Sequence, residues 1–213
     1  LRDPHLVVRE ESRPINGLPK LITGSKPIDD GNYIVSDDQY RDLARVSPDS
    51  AKWFCPFIGA REFIRGENRW IVHPSGIPLE ELKRLNNIRT RMALVREYRA
   101  NSKSKPTQAI TDTPGEFHVT VIPEKPFLVI PQVSSERRSY APIGFLEPPI
   151  IPSDKLRVLL EATPSLFALL TSAMHMAWMR AITGRMKSDY MYSVGVVYNT
   201  FPLPKGDLSK LAP

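Results

Sequence analysis

The sequence predicts an α+β fold, a single domain of short strands carrying two long helices. Apolar residues recur at helical spacing over two stretches, 77–105 and 163–183. Around them lie short β-type runs, of which Phe127-Leu128-Val129-Ile130-Pro131-Gln132-Val133 is the most apolar. The 21 prolines, against 11 glycines, cut the chain into short elements with stiff connections.

Residues 1–32 read as an irregular arm laid over another domain. Pro4, Pro14, Pro19 and Pro27 punctuate it, and Asp29-Asp30-Gly31-Asn32 is a turn signal. The main body of the fold is expected over 33–204, with a tail at 205–213; no boundary inside 33–204 is evident. Tyr33-Ile34-Val35 is a short strand. Ser36-Asp37-Asp38-Gln39 is a capping box that starts a helix to about Val46, and Ser47-Pro48 starts a further helical turn through Trp53. A hairpin is expected between 57–64 and 69–73, turning at Arg65-Gly66-Glu67-Asn68. Trp70 belongs in a core. Arg61, Glu62 and Arg69 fit a surface salt network as well as a phosphate contact.

The helix at 77–105 buries Leu82, Leu85, Ile88, Met92 and Val95. Its remaining surface is basic: Lys83, Arg84, Arg89, Arg91, Arg96, Arg99, Lys103 and Lys105. Arg89, Arg96 and Lys103 line one side, either as a solvated face or as a rail along a phosphate backbone. The run at 127–133 turns through Ser134-Ser135-Glu136-Arg137-Arg138 and returns over 140–146. Arg137 and Arg138, at that tip, suit phosphate or plain solvation. A strand is expected over 155–160. A long helix then opens at Thr163 as N-cap with Pro164 in its first turn and closes at Gly184. Its inward face should hold Leu166, Leu170, Ala173, Met174, Ala177, Trp178 and Ala181. The run 194–199 reads as another strand.

The chain has 213 residues, enough for one sizeable core or two small ones. It starts at Leu1 and reads like a piece of a longer protein. Its single cysteine, Cys55, excludes an internal disulfide and suits a reducing cytoplasm. No apolar run approaches the roughly 20 residues that span a bilayer, and no signal-peptide pattern is present, so no membrane partner is expected. The net charge of +6 favours a polyanionic partner.

Catalytic signatures are missing. Gly24-Ser25-Lys26 lacks the upstream glycine that a phosphate loop needs, and the histidines at 5, 73, 118 and 175 have no zinc spacing. His175 reads as a core histidine. Glu147-Pro148-Pro149-Ile150 has the prolines of an amino-methyltransferase motif. It lacks the short polar residue that would hold an exocyclic amine and the aromatic that would stack a flipped base.

The most informative stretch is Gly184-Arg185-Met186-Lys187-Ser188-Asp189-Tyr190-Met191-Tyr192-Ser193. If it is extended, Arg185, Lys187 and Asp189 project from one face. A lysine beside an aspartate on a rigid support can read a G·C pair: the ammonium donates to guanine and the carboxylate accepts from the cytosine amine. The competing reading is a solvated loop pair worth under about 1 kcal/mol.

Several motifs in fixed order then carry a resemblance. They are 24–33, Pro56-Phe57-Ile58-Gly59-Ala60-Arg61-Glu62-Phe63, Pro131-Gln132-Val133-Ser134-Ser135-Glu136-Arg137-Arg138, Ile143-Gly144-Phe145-Leu146, 171–180, 184–193 and Val197-Tyr198-Asn199-Thr200-Phe201-Pro202. From about residue 20 to 204 the chain is similar to the target recognition domain of the MmeI-like type IIL restriction–modification enzymes, which are DNA adenine methyltransferases. Thr200 stands where the family more often has asparagine.

The resemblance implies a double-stranded DNA partner and an upstream methyltransferase domain in the same chain. It also implies S-adenosylmethionine as cofactor of that parent, with no cofactor in this part, and often an N-terminal nuclease. By the same resemblance the positions matching Lys187 and Asp189 read one base pair, and those matching Lys155 and Met191 help read a neighbouring one. Lysine with aspartate suits G, and glutamate with arginine suits C. Arg185, Arg89, Arg96, Lys103, Arg137 and Arg138 are the expected backbone contacts. The alternatives left open are a structural docking module and a methyltransferase fragment with residual activity.

Overall fold

The computed structural model describes residues 7–203, so the expected tail at 205–213 lies outside them. The chain divides into two compact units, neither contiguous in sequence. One comprises residues 24–122 and 148–154; the other takes the residues up to 23, 123–147 and those from 155 onward. Mixed helix and strand is the α+β architecture that the sequence predicts.

In the unit built on 24–122, Ser36 caps the helix Asp37–Val46 as its capping box requires. Its hydroxyl accepts from the Gln39 N–H at 3.3 Å, and Gln39 Oε1 accepts from the Ser36 N–H at 2.9 Å. A four-stranded sheet has the order Ile34–Ser36, Arg69–Val72, Phe54–Ile58, Ile151–Pro152; the last strand joins parallel and the other pairs are antiparallel. The hairpin expected between 57–64 and 69–73 is a correction: residues 54–56, not 57–64, pair with 70–72. The strand ends at Ile58, and Ala60–Arg65 is a helix, because Glu62 reaches back to accept from the Gly59 N–H at 2.8 Å. Gly66, at φ +68, ends that helix. Arg61 and Arg69 bond to Glu67 and Glu62, the surface network of the two readings offered. Trp70 is half-buried, stacked on Tyr40.

The basic helix is shorter than expected. A turn at Leu79–Leu82 breaks before Leu85, and the helix proper runs Asn86–Ala100. Its stripe is as read: Leu85, Ile88 and Val95 are buried, with Leu82 and Met92 packed against the same core. Arg99 is a correction. Expected on the basic surface, it is 0 % exposed, and its guanidinium donates to the carbonyls of Pro27, Ile28, Ile110, Thr113 and Glu116 at 2.8–3.0 Å. One buried cation thereby satisfies carbonyls of two irregular segments that no ladder serves.

In the other unit, Ile22–Thr23, Leu156–Leu159, Phe127–Pro131 and Gly144–Leu146 form an antiparallel sheet in that order. Phe127 to Ile130 are fully buried, each burial contributing roughly 1.5–3 kcal/mol. The N-terminal segment packs within this same unit: Leu18 and Leu21 lie in the core, and Asn16 donates to the carbonyls of Tyr198 and Phe201, both at 3.0 Å.

The expected helix over 163–183 is two helices. Thr163 caps the first, Pro164–Leu170, accepting from the Leu166 N–H at 3.2 Å. Ser172 then caps a second, Ala173–Ile182, accepting from the His175 N–H at 3.2 Å. The interruption rotates the helical phase, so His175, Met176 and Met179 are buried while Met174 is 49 % exposed. The closing residue is Thr183, in extended conformation, rather than Gly184. The run Val194–Tyr198 is not a strand but a π-helical turn. Ser193 caps it, and the Asn199 N–H donates to the Val194 carbonyl at 2.9 Å. Its valine-rich composition favours a strand, but the Ser193 cap turns the chain into a helical turn instead.

Candidate nucleic-acid interface

Met191 N–H donates to the Gly184 carbonyl at 3.0 Å, and below that bond the chain makes a hairpin of Arg185–Met186 and Asp189–Met191. Arg185 faces Tyr190 and Met186 faces Asp189; a third strand, Val133–Ser134, pairs Ser134 with Tyr190 and Val133 with Met191. The stretch is therefore not one extended run. Lys187-Ser188 is a two-residue turn with Lys187 at φ +57, a conformation that such turns usually give to glycine or asparagine.

Alternation then sorts the side chains. Tyr190 and Ser134 are buried, and Arg185 shares their face, whereas Asp189, Met191 and the exposed Met186 lie on the other. The common face expected for Arg185, Lys187 and Asp189 is corrected accordingly. Lys187 is at the tip and exposed, with Asp189 the first residue of the returning strand. Among the described residues the Lys187 ammonium has no ion-pair partner.

Arg185 is turned toward the hairpin itself. Its Nη1 donates to the Ser188 carbonyl at 2.9 Å and to Glu136 Oε2 at 3.2 Å, and its Nη2 donates to the Tyr190 hydroxyl at 3.3 Å. The guanidinium lies 4.4 Å from the Tyr190 ring centroid. Asp189 Oδ1 accepts from the Glu136 backbone N–H at 3.4 Å. Thr183 anchors the hairpin to the preceding helix by donating its hydroxyl to the Met191 carbonyl.

Lys155 is exposed just before the strand Leu156–Leu159. Its carbonyl accepts from the Gln132 N–H at 3.0 Å, and the Gln132 carbonyl accepts from the Tyr192 N–H at 2.8 Å. One residue, Gln132, therefore ties the backbone at Lys155 to that beside Met191. A cleft of about 540 Å³ opens at this place, lined by Gln132, Met191, Ser193, Thr23, Lys20 and Arg157 among others. Arg137 and Arg138 are exposed on the loop that carries Glu136, and Arg180 holds that loop through the Ser139 carbonyl at 2.7 Å. The organising roles of Gln132, Glu136 and Arg180 were missed. Gln132 and Arg180 work through backbone carbonyls and Glu136 partly through its backbone N–H, groups that leave no mark on residue spacing.

The phosphate-rail residues belong to the other unit. Arg89 and Arg96 are exposed on Asn86–Ala100; Arg89 donates to the Lys83 carbonyl at 3.3 Å and Arg96 pairs with Asp112 at 3.1 Å. Lys103 lies past the end of that helix, so the three-residue line expected along it is not formed. Gly24-Ser25-Lys26 is no phosphate loop either: the buried Ser25 hydroxyl exchanges hydrogen bonds with the Val121 backbone, and carbonyls of Pro152 and Ser153 crowd Gly24. His175 is a core residue, 3.0 Å from the Tyr192 hydroxyl and edge-on to Phe201, and burial pushes its pKa down to about 4. No helix among the described residues is long and apolar enough to cross a membrane.

A family profile described as MmeI, target recognition domain, matches residues 2–205. The chain belongs to the MmeI target recognition domain family. A solved structure of the type IIL restriction–modification enzyme MmeI in complex with DNA superposes with a TM-score of 0.92 at 35% identity, covering 97% of this chain and 28% of that one. DNA methyltransferase A of Bacillus subtilis (strain 168) is 35% identical over 201 residues, 94% of this chain and 23% of that protein. The MmeI-type domain thus spans about a quarter of the length of these relatives.

Proposed function

We propose that this domain selects the DNA sequence on which a larger adenine methyltransferase acts, by reading base edges in the major groove. The observation that carries the reading is the hairpin tip. An L-residue is held at positive φ, its ammonium is exposed, and an aspartate follows two positions on. Backbone of that kind costs about 1–2 kcal/mol and persists where surroundings impose it, commonly at functional sites. Lysine there donates to the guanine acceptors and Asp189 accepts from the cytosine amine. The MmeI relative in complex with DNA supports DNA as the partner.

Lys155 and Met191, brought to either side of Gln132, are proposed to meet the neighbouring base pair, with Lys155 as the donor since the Met191 thioether discriminates poorly. Arg89, Arg96, Arg137 and Arg138 are proposed to supply phosphate contacts, with Lys103 added from beyond the helix. S-adenosylmethionine would serve the upstream methyltransferase domain. A cytoplasmic setting follows from this role.

The test is to exchange the pair, Lys187→Glu with Asp189→Arg, in the complete enzyme and sequence the methylated adenines. The expected outcome is a motif with C in place of G at one position, each bidentate contact being worth about 1–3 kcal/mol of discrimination. An unchanged motif refutes the assignment.

A further inference from the structure

Arg185 was expected on a phosphate, yet its guanidinium is turned to the hairpin and its neighbouring loop: Nη1 donates to Ser188 and Glu136, and Nη2 to Tyr190. Glu136 in turn touches the hairpin twice. Its side chain accepts from Arg185 and its backbone N–H donates to Asp189 Oδ1. Glu136 therefore ties both strands flanking the Lys187-Ser188 turn to the loop after Val133–Ser134, through its side chain at Arg185 and through its backbone at Asp189. Arg185 holds the carbonyl of Ser188, the residue between the two proposed readers. With Oδ1 engaged, Asp189 Oδ2 is the oxygen without a partner among the described residues. A carboxylate such as Glu136 on a DNA-facing loop would also oppose binding unless a cation neutralised it.

We propose that Arg185 and Glu136 are positioning residues that fix the Lys187–Asp189 turn in its reading geometry, so that they govern discrimination at one base pair rather than affinity for DNA in general. The inference rests on the base-reading function above. An unclamped turn lets Lys187 and Asp189 follow a mismatched pair, whereas a clamped one leaves their donors and acceptor unsatisfied against it. Lysine cannot replace Arg185, since a single ammonium lacks the planar fork that spans Ser188, Glu136 and Tyr190 at once.

The experiment uses the full-length enzyme, comparing methylation of the matched site with sites altered one base pair at a time. Its variants are Arg185→Ala, Arg185→Lys and Glu136→Ala. Expected is a loss of discrimination of about tenfold at the pair read by Lys187 and Asp189, with other positions held within about twofold. All three variants should share it, and the salt dependence of DNA binding should be unchanged in Arg185→Lys.

The proposal is overturned if Arg185→Ala weakens every sequence alike and lowers the salt slope by about 1 while Arg185→Lys behaves as wild type, the pattern of a phosphate contact. It is overturned equally if Glu136→Ala, an exposed substitution that leaves folding intact, keeps full discrimination. The Lys187→Glu/Asp189→Arg exchange, run alongside, separates the two ideas. A redirected motif together with full discrimination in Glu136→Ala defeats the clamp alone, and an unredirected motif defeats the base-reading function and the clamp with it.

Discussion

Lys187→Gly should raise stability and lower specificity together, which no purely structural role for this turn would produce. At φ +57 a lysine is held where an L-residue costs about 1–2 kcal/mol, and glycine carries no such cost. Against this, glycine gains freedom in the unfolded chain worth about 0.5–1 kcal/mol. The side chain makes no ion pair among the described residues, so its removal breaks nothing within the protein. The difference leaves a gain of roughly 0.7 kcal/mol, a rise in Tm of about 2 °C for a chain of this size. The loss of the guanine donor should reduce discrimination at that pair by about tenfold. Thermal melting of the chain and competition binding of the full-length enzyme on matched and altered duplexes read the two effects. A lower Tm refutes the backbone argument. Full discrimination refutes the role of the ammonium.

Arg96→Ala should weaken binding to all sequences about equally and reduce the salt slope by about 1; a loss confined to one base position would contradict a phosphate contact there. Arg99→Met should destabilise the domain by about 3 kcal/mol or more without a selective effect on DNA, because it strands five backbone carbonyls. A variant that melts normally but binds DNA poorly would return Arg99 to the phosphate surface. The His175 pKa lies near 4, below its unfolded value of 6.5, so the unfolded chain binds the extra proton between those limits. Stability contributed by the neutral ring is then complete above pH 6.5 and falls toward pH 4, by on the order of 3 kcal/mol. The denaturation midpoint of His175→Phe should fall less over that range than that of the wild type, and equal losses would contradict the assignment.

The sequence was most legible where a side chain makes a local bond. The Ser36 and Thr163 caps, the Asp29 turn and the stripe of Leu85, Ile88 and Val95 are all present. It was least legible where geometry depends on groups distant in sequence. Nothing in the spacing of 86–100 distinguishes Arg99 from Arg96, yet one reaches the carbonyls of residues 27 and 28 and the other reaches Asp112. The second helix failed through its phase, since a cap at Ser172 inside an apolar pattern looks like an exposed polar position. At the interface the residue types were readable but their disposition was not. A positive φ at a lysine carries no compositional signal, so the spacing of 185–189 does not distinguish a hairpin from an extended run.

The most direct measurement is a structure of the complete enzyme bound to its own methylation site. The expected result places Lys187 Nζ within about 3 Å of guanine O6 or N7 and the Asp189 carboxylate within the same reach of the paired cytosine amine. Lys187 lying on a phosphate, or Asp189 turned away from the bases, would contradict the account.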